Sequence, residues 1–320
     1  MEQPPGISPE SPEARRHGFG SAVRGGLRSL GVGERFFVVL KRVAIGTYND
    51  GFTYAGNLAY LSLVTLFPFF IVAAAIARLI GQTGEGLHAL DAFLHTVPPE
   101  VARVLRQPMQ DVLQARTGNL LWFGALVGLW TTGGFIETVR GILRQAYGTN
   151  SSTPFWRYRL GAIGVVVGSV ILAMAAFSFQ VILTGVEQFI YRILPFAVDA
   201  QRLVNYTRFV PALALFGALY MLFYSLTPRK YRKSGCPKWP GPAFVTVWWM
   251  STTALLPLVL STLGGYDLTY GSLAGVMIAL IFFFIIGLGV VVGAELNAAL
   301  AETPEEGLEG APKKQENTPS

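Results

Sequence analysis

The sequence is short of the residues that aqueous chemistry draws on. Only 14% of its 320 residues are charged, where an average soluble domain carries about 25%. An ordinary cytosolic enzyme would need more polar surface than that. The 52% apolar content equally excludes a disordered chain. A single cysteine, Cys236, excludes an internal disulfide and any multi-thiolate zinc site. Three histidines, His17, His88 and His95, are scattered and leave little for imidazole metal chemistry. The H-E-x-x-H, G-x-x-x-x-G-K-[ST] and G-x-S-x-G patterns are absent. Without a P-loop the chain is not by itself an ATP-driven pump.

What the chain has is long apolar runs. A bilayer core about 30 Å thick takes roughly 20 apolar residues in helix. Six stretches qualify: Ala55–Ile80, Asn119–Val139, Leu160–Thr184, Phe209–Leu226, Pro242–Leu263 and Gly271–Ala294. They are continuously apolar rather than alternating, which argues for helices and against a β-barrel. Residues 1–33 are rich in Pro, Gly, Ser and Arg and lack the apolar core of a secretory signal. They read as a disordered cytoplasmic tail, as do residues 303–320. The expected fold is therefore all-α: a polytopic membrane protein with a six-helix transmembrane domain over residues 34–302 and amphipathic interfacial helices.

Orientation follows from the basic residues. Eighteen Lys and Arg fall in the tails and in the second–third and fourth–fifth connections, against seven on the other side. This predicts a multi-pass plasma-membrane protein, the bacterial inner membrane, with both termini in the cytoplasm. In Arg35–Tyr48, Phe36, Val39, Leu40 and Val43 share a face beside Lys41 and Arg42. That pattern suits an interfacial helix running into the first span. In Glu100–Arg116, Val101, Val104, Leu105, Val112 and Leu113 recur at helical spacing behind Pro98 and Pro99. This predicts an outer amphipathic helix that lies on lipid or caps the bundle.

Several ordered motifs carry a resemblance. Asp50 precedes Ala55-Gly56-Asn57-Leu58-Ala59-Tyr60 and Leu66-Phe67-Pro68. Leu129-Trp130-Thr131-Thr132-Gly133-Gly134-Phe135 leads to Ala146-Tyr147, and Pro228 is followed by Pro240-Gly241. Tyr270-Gly271-Ser272-Leu273 then precedes Gly293-Ala294-Glu295-Leu296-Asn297-Ala298. Together, from about Glu34 to Glu302, they resemble the YihY/BrkB family of bacterial inner-membrane proteins. The resemblance implies a six-span helical protein linked to envelope integrity and transport. Parts of that family once bore the label ribonuclease BN, and other members that of serum-resistance factors. The name brings no reaction mechanism and no cofactor.

With the predicted topology, Asp50, Glu137 and Glu295 come to one depth near the cytoplasmic surface, with Asn297 beside them. Arg140 and Arg144 follow Glu137 on its helical face, so an ion pair is available. Asp50, Thr53, Tyr54, Asn57 and Tyr60 fall within an arc of roughly 120° on the first span. Lipid cannot satisfy such a stripe. The expectation is a polar vestibule formed by Asp50, Thr53, Asn57, Tyr60, Glu137, Arg140, Glu295 and Asn297. The bland alternative is that these groups only cap helix ends and bond to neighbours. Arg229, Lys230, Arg232, Lys233 and Lys238, with Tyr231 and Trp239, are candidate contacts for anionic lipid headgroups. Glycines four apart (Gly124/Gly128, Gly164/Gly168, Gly271/Gly275, Gly289/Gly293) allow close helix approach. Packing within the bundle explains them, and homo-oligomerisation is the sharper alternative.

The expected function is that of a carrier, exporter or lipid-handling protein. Its partners are membrane lipids, and neither nucleic acid nor a cofactor is expected. A non-transporting envelope scaffold is the competing class, distinguished by a filled rather than hollow interior. A ribonuclease is the third, disfavoured by the scattered histidines.

Overall fold

The computed structural model describes residues 8–17, 32–79, 94, 97–114, 118–149, 160–161, 164, 210–262 and 273–301. All secondary structure among these residues is helical. The helices are α1 (Pro12–His17), α2 (Val32–Leu79), α3 (Pro99–Gln114), α4 (Gly118–Tyr147), α5 (Val210–Leu226), α6 (Arg229–Arg232), α7 (Pro240–Thr262) and α8 (Ala274–Leu300). Five of the six expected spans thus coincide with helices. The third, Leu160–Thr184, lies outside the described residues except at 160–161 and 164. Two helices, α7 and α8, are long and apolar enough to cross a membrane.

The expected interfacial helix and first span are one continuous element. With 48 residues at about 1.5 Å each, α2 is far longer than a bilayer core is thick. In its first half Phe36, Phe37 and Leu40 are exposed. Within α2 the helix runs on through Pro68.

α8 is the axis of the bundle. It is apolar on all sides, and its buried residues run from Ala274 to Ala299, the pattern of a helix enclosed by others. It packs against α2, α7, α3 and α4. Its first half shares a core with α3 through Ile278, Phe282, Val101 and Leu105. The α3 helix therefore caps the bundle by burying its apolar face there. The second half of α8 shares another core with α4, α5 and α7 through Val291, Ala294, Val139, Leu143, Phe223 and Val245.

Small residues set the closeness of these contacts. A Cβ on Gly241 would strike the Gly293 carbonyl and the Asn297 side chain, and one on Gly293 would strike Val245. Trp248 lies over Gly289, and its indole N–H donates to the Ile285 carbonyl at 2.8 Å. Along α2, Gly46 meets Glu295, Gly51 meets Val291, and Ala55 and Leu58 meet Gly287. Rising numbers on α2 thus pair with falling numbers on α8, so the two helices are antiparallel. Gly275 meets Val104 of α3. The Gly289/Gly293 pair accordingly serves packing inside the bundle.

Overpacking a tight contact costs about 1–3 kcal/mol. Gly241→Ala should therefore lower the thermal-unfolding midpoint in detergent, followed by intrinsic fluorescence. Gly217→Ala, where nothing lies within 4 Å of the added carbon, should leave that midpoint unchanged or slightly raised.

Candidate functional site

Polar groups collect at the C-terminal end of α8. The buried carboxyl of Glu295 lies against Gly46 of α2, and its Oε2 accepts a hydrogen bond from Ser8 Oγ at 3.2 Å. Asn297 stands two residues on, about 200° around the helix, and so faces α7. Its Oδ1 accepts from the Gly241 N–H at 2.8 Å, and its Nδ2 donates to the Lys238 carbonyl at 3.1 Å. The last carbonyls of a helix have no intrahelical donor. Here two arginines meet them. Arg15 Nη2 donates to Ala298 O and Ala301 O, both at 3.0 Å, and Arg42 Nη1 donates to Ala299 O at 3.3 Å. Both cations sit at the negative end of the helix dipole.

The end of α4 lies beside this cluster. Gly148 takes φ +73°; its N–H donates to Gln145 O, and the Thr149 N–H donates to Arg144 O, both at 3.0 Å. This is a Schellman ending, which needs glycine at the left-handed position. The Ser8 N–H also donates to Gln145 O, at 3.2 Å, and Ser11 fills the space beside Gly148. From the α5–α7 connection comes Tyr231, fully buried, its ring centroid 4.8 Å from that of Tyr147. The Tyr231 hydroxyl donates to Glu13 Oε1 at 2.6 Å, and Lys230 Nζ donates to the same oxygen at 2.8 Å. Burial, reinforced by the hydrogen bond and charge of Glu13, holds the Tyr231 phenol well above its ordinary range. Burial does the same for Tyr147, with Thr227 opposing.

The residues expected to form a vestibule do not share one space. Glu295 and Asn297 are buried on opposite sides of α8 and occupied by the bonds just described. Glu137 and Arg140 are half-buried on α4 and engaged with neighbours. Thr53, Asn57 and Tyr60 lie exposed on the outer face of α2, because its opposite face, with Ala55, Leu58 and Ala59, is the one packed inward. Asn49 extends that outer stripe. The backbone of Asp50 is helical, and its side chain lies outside the described residues. Among the described residues no three His, Cys, Asp or Glu side chains gather closely enough to hold a metal ion.

The basic loop is largely committed to its own structure. Lys230 holds Glu13, and Lys238 Nζ donates to Ser234 O and Cys236 O at 2.7 and 3.0 Å. Arg232 bonds the Ser225 and Thr227 carbonyls and lies over the Tyr224 ring. Arg229 and Lys233 are left exposed for other contacts.

Residues 8–17 fall within the stretch expected to be a disordered tail; here they form a turn and α1. They are ordered because Ser11 caps α1, accepting the Ala14 N–H at 3.1 Å, with Pro12 at the first helical position and Glu13 in the first turn. Ser11-Pro12-Glu13 was the sequence signal for this element.

Among the described residues all secondary structure is helical, and two of the helices are long and apolar enough to cross a membrane. The chain belongs to the family described as virulence factor BrkB, whose model matches residues 47–318. Similar proteins include one from Bacillus subtilis (strain 168) whose name calls it ribonuclease-like, YfkH. It is 27% identical over 259 residues, 79% of this chain and 91% of that protein. UPF0761 membrane proteins of Pseudoalteromonas translucida and Alteromonas mediterranea are 24% and 26% identical, over 82% and 81% of this chain and 86% of each relative. No solved structure matches.

Two outcomes follow from this geometry. Asn297→Ala strands the buried Gly241 N–H and Lys238 carbonyl, a loss of about 1–3 kcal/mol that should appear as a lower unfolding midpoint. A phenol held above its ordinary value of about 10 stabilises the fold fully below that pH, and the contribution is lost as pH rises towards the folded value. The midpoint should therefore fall between about pH 9 and 11.5, and the fall should be shallower in Tyr231→Phe.

Proposed function

We propose that the chain crosses the bacterial inner membrane six times with both termini in the cytoplasm, and that it handles lipid, giving polar headgroups a path along its outer surface in support of envelope integrity. The observation that carries this reading is the outward stripe of Asn49, Thr53, Asn57 and Tyr60, all exposed. They rise about 16 Å along α2, roughly half the thickness of a bilayer core. Asn49 and Thr53 precede the expected first span, and Asn57 and Tyr60 lie within it; polar side chains facing hydrocarbon are costly, and they are tolerable where headgroups or water run beside them. The antiparallel pairing of α2 with α8 agrees with the proposed topology. Arg229 and Lys233 would attract anionic headgroups at the cytoplasmic leaflet, each worth about 1 kcal/mol.

A non-transporting scaffold is the second reading, and the filled packing around Glu295 favours it over a solute carrier with a central path. Liposomes containing the purified chain and fluorescent headgroup-labelled lipid separate the two. Lipid handling predicts transbilayer exchange, slowed about tenfold or more by Thr53→Leu with Asn57→Leu, a change of at least about 1.4 kcal/mol in barrier. Absence of exchange in the wild-type chain, or full exchange in the double variant, contradicts it. Metal-dependent cleavage of RNA by the same preparation would instead support a nuclease.

A further inference from the structure

The segment Ser8–His17 reaches α8, α4, α2 and the α5–α7 connection at the C-terminal end of α8. Ser8 bonds Glu295 of α8 and Gln145 of α4. Glu10 faces Arg42 of α2, with 3.9 Å between Oε2 and Nε. Glu13 holds Lys230 and Tyr231 of the α5–α7 connection, and Arg15 holds the last carbonyls of α8. We propose that this segment is a releasable latch, which closes that end of the bundle over Glu295 when seated and opens it to water when Glu13 lets go of Lys230 and Tyr231.

Three features distinguish a latch from a permanent part of the core. The segment Ser-Pro-Glu-Ser-Pro-Glu-Ala-Arg-Arg-His has no large apolar side chain, and Pro12 is the one apolar ring it buries, so little hydrophobic burial anchors it. Its attachment is a set of polar bonds, each of which contributes little net stability because water can replace it. A helix of six residues is also too short to persist alone, so docking and folding of the segment are one event. Finally, the groups it covers can be solvated once it leaves. The Glu295 carboxyl, the Tyr231 hydroxyl and the carbonyls of Ala298 and Ala301 would all gain water as a partner. Both the seated and the released arrangement are therefore satisfied, which is the condition for a two-state element. The inference concerns closure alone and does not require that lipid or any solute be moved.

Hydrogen exchange followed by mass spectrometry on the full chain in phosphatidylcholine nanodiscs tests it. Peptides covering Ser8–His17 should exchange about tenfold or more slowly than a free chain. Glu13→Lys should abolish that protection while peptides from the middle of α8 stay protected, and Glu13→Lys with Lys230→Glu should restore it. In a Cys236→Ser background, a cysteine placed by Ala301→Cys, a position 1% exposed, should react with a charged thiol reagent about tenfold or more faster once Glu13→Lys or Arg15→Gln is added. Free-chain exchange of Ser8–His17 in the wild type overturns the latch. So does unchanged protection and labelling in both Glu13→Lys and Arg15→Gln. Loss of protection throughout α8 in Glu13→Lys overturns it as well, because the segment would then be part of the core.

Discussion

The fold turns on how one buried helix ends. α8 is surrounded by other helices, and with Ser8–His17 seated its last turn is covered rather than open to water. The carbonyls of that turn, the Glu295 carboxyl and the Asn297 amide all need donors or acceptors from elsewhere in the chain. Those partners come from sequence positions as distant as Ser8, Arg15, Arg42 and Gly241. Meeting that one requirement draws together α1, α2, α7 and the connection preceding α7, and the end of α4 is fixed beside them through Gln145 and Gly148.

Close backbone approach makes those bonds reachable. Gly46 admits the Glu295 carboxyl, and Gly241 admits Asn297; a side chain at Gly46 would displace that carboxyl, and one at Gly241 would meet the Gly293 backbone carbonyl and force α7 and α8 apart. Aromatic packing completes the closure, with Tyr147 and Tyr231 in contact beneath Glu13. At the end of α8, the Glu295 carboxyl and the Asn297 amide are both engaged in structural hydrogen bonds. Asn49, Thr53, Asn57 and Tyr60, by contrast, are exposed on one face of α2, and that difference is what the proposed function is built on.

Much of this was legible in the residues. The apolar runs marked α4, α5, α7 and α8 closely, and Glu100–Arg116 anticipated α3 within two residues at each end. The period of α2 grouped Thr53, Asn57 and Tyr60, which are exposed, with Tyr54, which packs against the core; periodicity alone does not say which way a face points. Gly51, Ala55 and Ala59 on the other side carried that information, since helices approach most closely over small residues. Glu295 and Asn297 turn apart, because two residues is more than half a helical turn. Ser8–His17 escaped a reading built on apolar content for a physical reason: it docks through polar bonds, and only its capping residues announced it. The basic loop was read as a lipid contact from charge alone, whereas Lys230, Arg232 and Lys238 are spent on internal bonds that depend on tertiary placement.

The most direct test is a single-particle reconstruction of the whole chain in a lipid nanodisc at side-chain resolution. The account predicts density for Ser8–His17 seated on the end of α8, Arg15 on the Ala298 and Ala301 carbonyls, and no water-filled space between Glu295 and Gly46. An open aqueous cavity running between α2 and α8 to the Glu295 carboxyl would contradict it.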